Sequence, residues 1–197
     1  SEIDAGAANS VLTANGGLYS LTLDPGKYIV VETAQNGWFE SPDADAAEVN
    51  PNGLGGYGKW GYAIALSSGE QRVGNDFGNY QKALKSGYKW HDLNADGIWQ
   101  KGEEPPLSDW WICVYADTGN VPEELDPGDQ LVDCRHSADG GLYSFFLDPG
   151  KYIVVEASYA DWYQSWPNTE VDGGTLGYAD CGYAVTLTSG QVYDDND

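Results

Sequence analysis

The chain has 197 residues and a formal charge of −22, with 9 Lys and Arg residues against 31 Asp and Glu residues. This charge argues against nucleic acids and anionic membranes as partners, because both would repel the chain over a Debye length of roughly 8–10 Å. No apolar run approaches the roughly 18 residues of a membrane-spanning helix, so membrane insertion is not expected.

Two long repeats organise the sequence. The segment Gly16–Glu32 returns as Gly140–Glu156 with two substitutions, at an offset of 124 residues (140 − 16 = 124). The segment Gly61–Gly69 returns as Gly182–Gly190, at an offset of 121 residues (182 − 61 = 121). Repeats of this size are whole domains in tandem, and we expect the function to lie in the array they form.

Period-two apolar runs bounded by Gly, Pro, Asp and Asn predict β-strands along both units. The turns Asp24–Gly26 and Asp148–Gly150 are expected to join strands as hairpins, since Pro presets the first corner and Gly accepts the second. Seven short strands predict an antiparallel sandwich in the second unit. They lie near Gly87–His91, Trp110–Tyr115, Gln130–His136, Leu142–Leu147, Lys151–Ala157, Gly182–Leu187 and Gln191–Asp197. Both faces of Lys151–Glu156 are apolar, which predicts a central strand.

We expect residues 1–80 to form a partial β-sandwich, residues 81–86 a short linker, and residues 87–197 a near-complete calcium-binding β-sandwich. The first unit has no counterpart of Gly87–Val121, so its N-terminal strands are missing. Two explanations remain open. Either the chain is a window of a longer array, or a neighbouring chain supplies the strands by β-augmentation.

Three cysteines are present, and the repeats serve as an internal comparison. Cys134 aligns with Ser10 and Cys181 with Trp60, so both cysteines are absent together from the first unit. Joint absence predicts a Cys134–Cys181 disulfide and an oxidising compartment. The alternative is three buried free thiols, and Cys113 is left over as a buried or intermolecular cysteine.

The segment Asp92–Glu103 fits the calcium-loop pattern D-x-[DN]-x-[DN]-G-x5-E in full. Calcium takes six to eight oxygen ligands, and alternate positions let short acidic side chains converge on one ion. Gly97 permits the sharp turn. The predicted ligands are Asp92, Asn94, Asp96, the Ile98 carbonyl, Gln100 and Glu103. Pro105 and Pro106 stop any following helix, so we expect a structural ion rather than a helical calcium switch.

The segments Gly87–Tyr115, Gly140–Glu156, Tyr183–Gly190 and Asp76–Tyr80 together resemble the calcium-binding B repeats of serine-aspartate-repeat surface proteins. Those repeats belong to the collagen-adhesin B-type, prealbumin-like class of Ig-like β-sandwiches. The resemblance implies tandem antiparallel sandwiches of this class, arranged in series on the cell surface, each carrying Ca²⁺ in the loop after its first strand.

The resemblance also implies individual residue roles. It carries over Asp92, Asn94, Asp96 and Glu103 as ligands, and the last-strand acid, Asp197 here, as an added one. Many members of the wider class form a Lys–Asn isopeptide bond promoted by a buried Glu, at the position of Glu156 and Glu32. We expect no such bond, because Lys89 is one residue out of place and would point to the opposite face.

The eight Trp and fourteen Tyr residues raise a second hypothesis. Trp38 and Trp162 are repeat equivalents and are expected to be buried. Trp99 and Trp111 are less readily buried, because Trp99 lies in the acidic loop and Trp111 follows Trp110 on one strand. Exposed aromatic rings stack on sugars or form contacts between domains. Ordinary burial is the remaining alternative.

Catalysis is not expected, because His91 and His136 lack a Ser or Cys in a recognisable nucleophile motif. We therefore expect a non-enzymatic structural repeat of an extracellular fibre, stalk or adhesin, with neighbouring copies as partners. The alternative is a carbohydrate-binding adhesin module, with glycans as partners.

Overall fold

The computed structural model describes residues 10–41, 46–50, 55–171 and 177–194. These residues form β-strands and no helices, so the predicted all-β class is confirmed. The chain divides into two compact units, Ser1–Tyr80 and Gln81–Asp197, called unit 1 and unit 2 below.

The described strands are numbered in chain order. Unit 1 contains β1 (Gly26–Thr33), β2 (Phe39–Glu40), β3 (Ala47–Glu48), β4 (Tyr57–Leu66) and β5 (Asn79–Tyr80). Unit 2 contains β6 (Ala83–Tyr88), β7 (Trp111–Ala116), β8 (Gln130–His136), β9 (Leu142–Leu147), β10 (Gly150–Ala157), β11 (Tyr178–Leu187) and β12 (Val192–Tyr193).

Unit 1 contains a small antiparallel sheet in the order β1-β4-β3, and β2 pairs separately with β5. Its buried hydrophobic residues include Val49 and Tyr62. The Tyr62 hydroxyl donates to the Asp76 carbonyl at 2.5 Å, and its ring meets the Phe77 ring edge-on at 5.3 Å. These contacts attach the end of unit 1 to its central strand.

Unit 2 contains two sheets around one core. The four-stranded antiparallel sheet has the order β11-β10-β7-β8, and the three-stranded sheet has the order β12-β6-β9, with β12 parallel to β6. Side chains from both sheets meet in one cluster, so the core lies between the sheets. Its buried members are Ala83, Trp110, Ile112, Val114, Tyr143, Phe145, Leu147, Tyr152, Val154, Val185 and Leu187.

The four-stranded sheet is also covered on its second face. Ile153 and Val155 pack there with Leu125 and Val171, and the Leu125 N–H donates to the Val171 carbonyl at 2.7 Å. Both faces of β10 are therefore buried, and β10 lies between β11 and β7. The predicted central position of this strand is confirmed.

Both units build the same strand pair in the same register. In the β1–β4 pair Gly26 faces Leu66, and in the β10–β11 pair Gly150 faces Leu187. Each pair has a register irregularity at the equivalent position near the end of its first strand. The sequence repeat is thus a repeat of backbone pairing as well.

The expected linker at residues 81–86 is instead largely strand. β6 begins at Ala83, four residues before the predicted start, and pairs with β9 along its length. The prediction was wrong because Lys85 occupies an inward position where a hydrophobic residue is expected. Lys85 is fully buried; its ammonium donates to the Ser86 carbonyl at 2.5 Å and lies 5.2 Å from the Tyr143 ring centroid. An ammonium is attracted to aromatic faces, and the lysine stem is apolar.

The predicted hairpins at the two Asp-Pro-Gly turns are also wrong. β9 belongs to one sheet and β10 to the other, so Asp148–Gly150 crosses between the two sheets of unit 2. The Tyr152 hydroxyl donates to the Asp148 carbonyl at 2.8 Å and holds this crossing in place. In unit 1 the residues before the turn are not strand, although Tyr28 makes the equivalent bond to Asp24 at 2.7 Å.

The predicted Cys134–Cys181 disulfide is wrong, because the structure joins Cys113 to Cys134. Cys113 and Cys134 face each other on β7 and β8, with Cα atoms 4.1 Å apart. Cys181 lies on β11, at the opposite edge of that sheet. Three strand spacings separate the two edges, about 14 Å, which a disulfide does not span. The repeat comparison misled because Cys113 has no counterpart in unit 1.

Candidate metal loop and the neighbouring ion pair

The loop Asp92–Glu103 follows β6, and its acidic side chains fold back onto its own backbone. Asp92 accepts a hydrogen bond from the Gly97 N–H at 2.8 Å, and Asp96 accepts one from the Ile98 N–H at 2.8 Å. Gly97 has a φ of +74°, a conformation that residues with a Cβ rarely adopt. The loop is therefore a self-contained turn held by its carboxylates.

Two amide side chains join this cluster. The Asn94 and Gln100 amide groups each donate to Asp96 Oδ2 at 2.9 Å, and Asn94 Oδ1 accepts from the Asp96 N–H at 3.0 Å. The structure thus brings together the side chains of four predicted ligands, Asp92, Asn94, Asp96 and Gln100.

Glu104, rather than Glu103, turns its carboxylate into the loop. Glu104 is buried and accepts hydrogen bonds from the Leu93 N–H at 2.8 Å and the Gln100 N–H at 3.1 Å. Glu103 is exposed. The pattern could not separate these adjacent acids, because the fold alone decides which of them points inward.

The residues after β10 support the loop from one side. Burial would raise the pKa of Asp92, but hydrogen bonds from Gly97, Ser165, Ala95 and Asp96 outweigh it and lower that pKa. A Cβ on Gly97 would lie 3.3 Å from the Trp166 ring. The close approach of Trp166 and the positive φ of the turn explain why residue 97 is a glycine.

The chemistry of the donor atoms fits Ca²⁺, which binds carboxylate, amide and carbonyl oxygens. The loop offers the carboxylates of Asp92 and Asp96 and the carbonyl of Ile98, in addition to the two amide side chains. In the described part of the chain, no three His, Cys, Asp or Glu side chains are close enough together to hold a metal ion. Glu103 is therefore not grouped with the two aspartates, and Asp197 lies outside the described residues.

A largely buried ion pair lies beside the loop. Lys89 Nζ is 2.8 Å from Glu156 Oε2, and these side chains are only 16% and 10% exposed. The expectation that Lys89 points away from this glutamate is wrong, because Lys89 continues the alternation of Ala83 and Lys85, whose side chains are buried in unit 2. Burial raises the pKa of Glu156, and the Lys89 ammonium partly offsets the rise.

The equivalent glutamate of unit 1 has different neighbours. Asn79 Nδ2 donates to Glu32 Oε1 at 2.5 Å, and the carboxyl group of Glu40 lies next to that of Glu32. Burial raises the pKa of Glu32, and the Glu40 charge raises it further despite the Asn79 bond. Among the described residues Glu32 makes no ion pair.

A small cavity of about 40 Å³ lies behind the loop in unit 2, lined in part by Lys89, Trp90, Glu156, Gln164 and Cys181. A space of this size holds a few water molecules. It is too small for a sugar or a peptide.

Of the four tryptophans considered in the sequence analysis, two follow the alternative of ordinary burial and two lie differently from the expectation. Trp99 stacks on Trp90 with centroids 6.0 Å apart, and Trp111 meets His136 edge-on at 4.2 Å, so both are half-buried within unit 2. Trp38 and Trp162 are 47% and 43% exposed, so the expected burial of these two residues is wrong.

The more exposed aromatic surface, which the sequence analysis missed, is the segment after β10. Tyr159, Trp162 and Trp166 are 40%, 43% and 40% exposed, and Tyr163 is 93% exposed. The sequence signal that could have indicated this surface is the presence of four aromatic residues within eight positions, 159–166.

Comparison with models of known protein families found no match, and comparison with curated proteins found no significant match. Within the described residues, no helix has the length and apolar character needed to cross a membrane.

Proposed function

We propose that the protein is a non-enzymatic structural module of an extracellular fibre, stalk or surface adhesin. In this proposal its units are tandem Ig-like β-sandwiches of the prealbumin-like B type, and Ca²⁺ in the Asp92–Glu103 loop makes unit 2 rigid. Its partners are neighbouring copies of the same domain or chain in a filament, with strand complementation as a route of assembly.

One observation carries the proposal: the β1–β4 pair is built again as β10–β11 in the same register. Tandem copies of one scaffold extend a structure in proportion to their number. The Cys113–Cys134 disulfide supports an extracellular site, because disulfides persist in oxidising compartments.

The position of the loop gives calcium a mechanical role. The loop lies between β6 and β7, which belong to different sheets of unit 2. Bound Ca²⁺ supplies a positive charge shared by several oxygen atoms, and the residues that would hold it are Asp92, Asn94, Asp96, Ile98 and Gln100. Fixing this connection would restrain the two sheets relative to each other.

Thermal unfolding with millimolar CaCl₂ and with EGTA tests the calcium role. A ligand at a hundredfold excess over its dissociation constant stabilises a fold by about 2.7 kcal/mol. We expect the melting temperature of unit 2 to rise by on the order of 10 °C. Hydrogen exchange of peptides from each unit assigns the shift. An unchanged unit 2 would rule out the calcium role.

Two variants sharpen this test. Asp96→Ala should abolish the calcium-dependent shift. Asp126→Ala is a matched control, because Asp126 also accepts backbone N–H groups, from Asn120, Val121 and Gly128, in a different loop of unit 2. This control should lower stability equally with and without calcium. Negative-stain microscopy of the wild type then tests for filaments of regular axial spacing.

The alternative function is a carbohydrate-binding adhesin module, favoured by the exposed rings of Trp162, Tyr163 and Trp166. Aromatic faces of this kind stack on sugars. Saturable binding on a glycan array, lost in a Trp162→Ala, Tyr163→Ala double variant of unchanged stability, would support this alternative over the structural role.

A further inference from the structure

Strand β8 lies at the edge of the four-stranded sheet of unit 2, and β7 is its only neighbour in that sheet among the described strands. Leu131 and Val132 on this strand are apolar, yet they are 56% and 47% exposed. A sheet edge presents backbone N–H and C=O groups that can pair with a strand of another molecule. The edge of β8 is therefore a candidate surface for strand pairing.

The hydrogen bonds of β8 show which backbone groups face this edge. The N–H of Ser137, directly after β8, donates to the Trp110 carbonyl at 2.8 Å. Backbone groups alternate in direction along an antiparallel strand, so the N–H groups of Arg135 and Asp133 also point to β7, and that of Cys134 points outward. The Cys134 N–H donates to Asp133 Oδ1 at 2.9 Å. The acceptor of this outward donor is thus a side chain, which can give way to a backbone carbonyl.

The two residues that flank Cys134 carry opposite charges. Asp133 and Arg135 form an ion pair at 2.9 Å, with side chains 40% and 51% exposed. The Arg135 guanidinium lies 5.7 Å from the Phe145 ring centroid, so this pair lies on the side of β8 that faces β9. The pattern is complementary to itself in the antiparallel direction, because residue 133 of one copy meets residue 135 of the other.

We propose that β8 pairs antiparallel with β8 of a second copy of this chain, in a two-fold register centred on Cys134. The two Cys134 residues exchange N–H···O=C bonds, and Asp133 of each copy pairs with Arg135 of the other. The four-stranded sheets of the two copies then form one continuous sheet. The inference rests on the proposed function, in which neighbouring copies are the partners, and it identifies a surface and a register for one such contact.

Charge selects this register over its two nearest alternatives. A two-fold register centred on residue 133 places Asp133 opposite the same residue of the second copy. A register centred on residue 135 does the same for Arg135. Like charges directly opposite each other destabilise a strand pair, whereas opposite charges stabilise it. The register centred on Cys134 has two pairs of opposite charge and no pair of like charge.

Sedimentation equilibrium of the full chain measures this association. Two chains of charge −22 repel each other, so the experiment uses about 0.15 M NaCl, which screens the repulsion beyond roughly 8 Å. The contact is short, and we therefore expect a dimer whose dissociation constant lies between micromolar and millimolar. Asp133→Arg and Arg135→Asp should each weaken dimerisation by at least about tenfold, because both cross-strand pairs then have like charges.

Two further samples should restore the dimer. In an equimolar mixture of the two single variants, two positive charges face two negative ones. The double variant Asp133→Arg, Arg135→Asp keeps the wild-type net charge and reverses both pairs, so its dissociation constant should return to within about threefold of wild type. Lys59→Glu, in the exposed pair with Glu48 of unit 1, is the matched control. It changes the net charge as Arg135→Asp does, and it should leave dimerisation unchanged.

Hydrogen exchange locates the contact. On raising the concentration of the wild-type chain, exchange should slow across residues 130–137, and circular dichroism checks that each variant keeps the wild-type fold. A monomer at every concentration up to millimolar would overturn the proposal. So would a dimer that both single variants leave intact, a double variant that stays monomeric, or a dimer without slower exchange in residues 130–137. The calcium-dependent melting shift and the axial filaments are measured separately, so failure here is distinguishable from failure of the proposed function.

Discussion

Strands β1 and β10 have almost the same sequence, GKYIVVET and GKYIVVEA, yet they are buried to different degrees. In unit 2, Tyr152 to Val155 are all buried, because β7 and β11 flank the strand and both faces are covered. In unit 1, the equivalent residues Tyr28 to Val31 are half-buried, and β1 pairs only with β4 among the described strands.

The comparison separates two properties of a strand. Pairing register depends on the local pattern and recurs in both units. Burial depends on which other strands are present, so it does not follow from the strand's own sequence. Three predictions test this difference, in order of decreasing expected effect.

Removing buried volume at equivalent positions should have unequal effects. Ile153 is fully buried, so Ile153→Ala should reduce the free energy of unfolding of unit 2 by about 2–5 kcal/mol. Ile29→Ala should reduce the free energy of unfolding of unit 1 by less than about half of the Ile153→Ala loss, because Ile29 is half-buried. Hydrogen exchange in urea, followed on peptides from each strand, measures both losses. Equal losses would mean that unit 1 is as well closed as unit 2.

The disulfide should stabilise one unit only. Cys113 and Cys134 close a loop of 21 residues. By restricting the unfolded chain, a disulfide across such a loop stabilises the folded state by roughly 3 kcal/mol. Reduction should therefore lower the melting temperature of unit 2 and leave unit 1, which has no cysteine, unchanged. Cys181→Ala is the control and should keep the full response to reduction. A Cys134–Cys181 peptide in a non-reducing digest would contradict the structure.

Removing the lysine of the ion pair should make unit 2 resemble unit 1. Lys89→Met should reduce the free energy of unfolding of unit 2 by on the order of 2 kcal/mol near neutral pH. Breaking a fully buried ion pair costs roughly 3–5 kcal/mol. The expected loss is smaller here because Lys89 is 16% exposed. The control Lys59→Met removes the exposed pair with Glu48 in unit 1 and should cost less than about 1 kcal/mol.

The cost of Lys89→Met should also depend on pH. The pKa of Glu156 is already raised above its ordinary 4.5, and loss of Lys89 raises it further. A folded carboxyl with a raised pKa retains its proton longer than the unfolded one, so stability falls as pH rises above 4.5. The loss should therefore shrink toward pH 4 in denaturant titrations. A loss independent of pH would mean that the ion pair does not control this carboxyl.

Much of the fold could be predicted because its signals are local. Alternating apolar residues located β8 and β9 at their observed bounds, and the apolar faces of Lys151–Glu156 predicted the central strand. The acidic loop pattern brought together four side chains that the structure also groups. Each of these depends on residues close together in the chain.

The failed predictions all depend on contacts between distant segments. Cys113 pairs with Cys134 because β7 and β8 are neighbours, and Lys85 is buried because three tyrosine rings surround its ammonium.

The sequence by itself determined a repeated, all-β chain with one acidic loop, because repetition, alternation and ligand spacing are readable along the chain. Only the tertiary structure decided which cysteines pair, which charges are buried and how deeply each described copy of the repeated strand is buried. These properties depend on the order of strands across a sheet, and sequence distance does not specify that order.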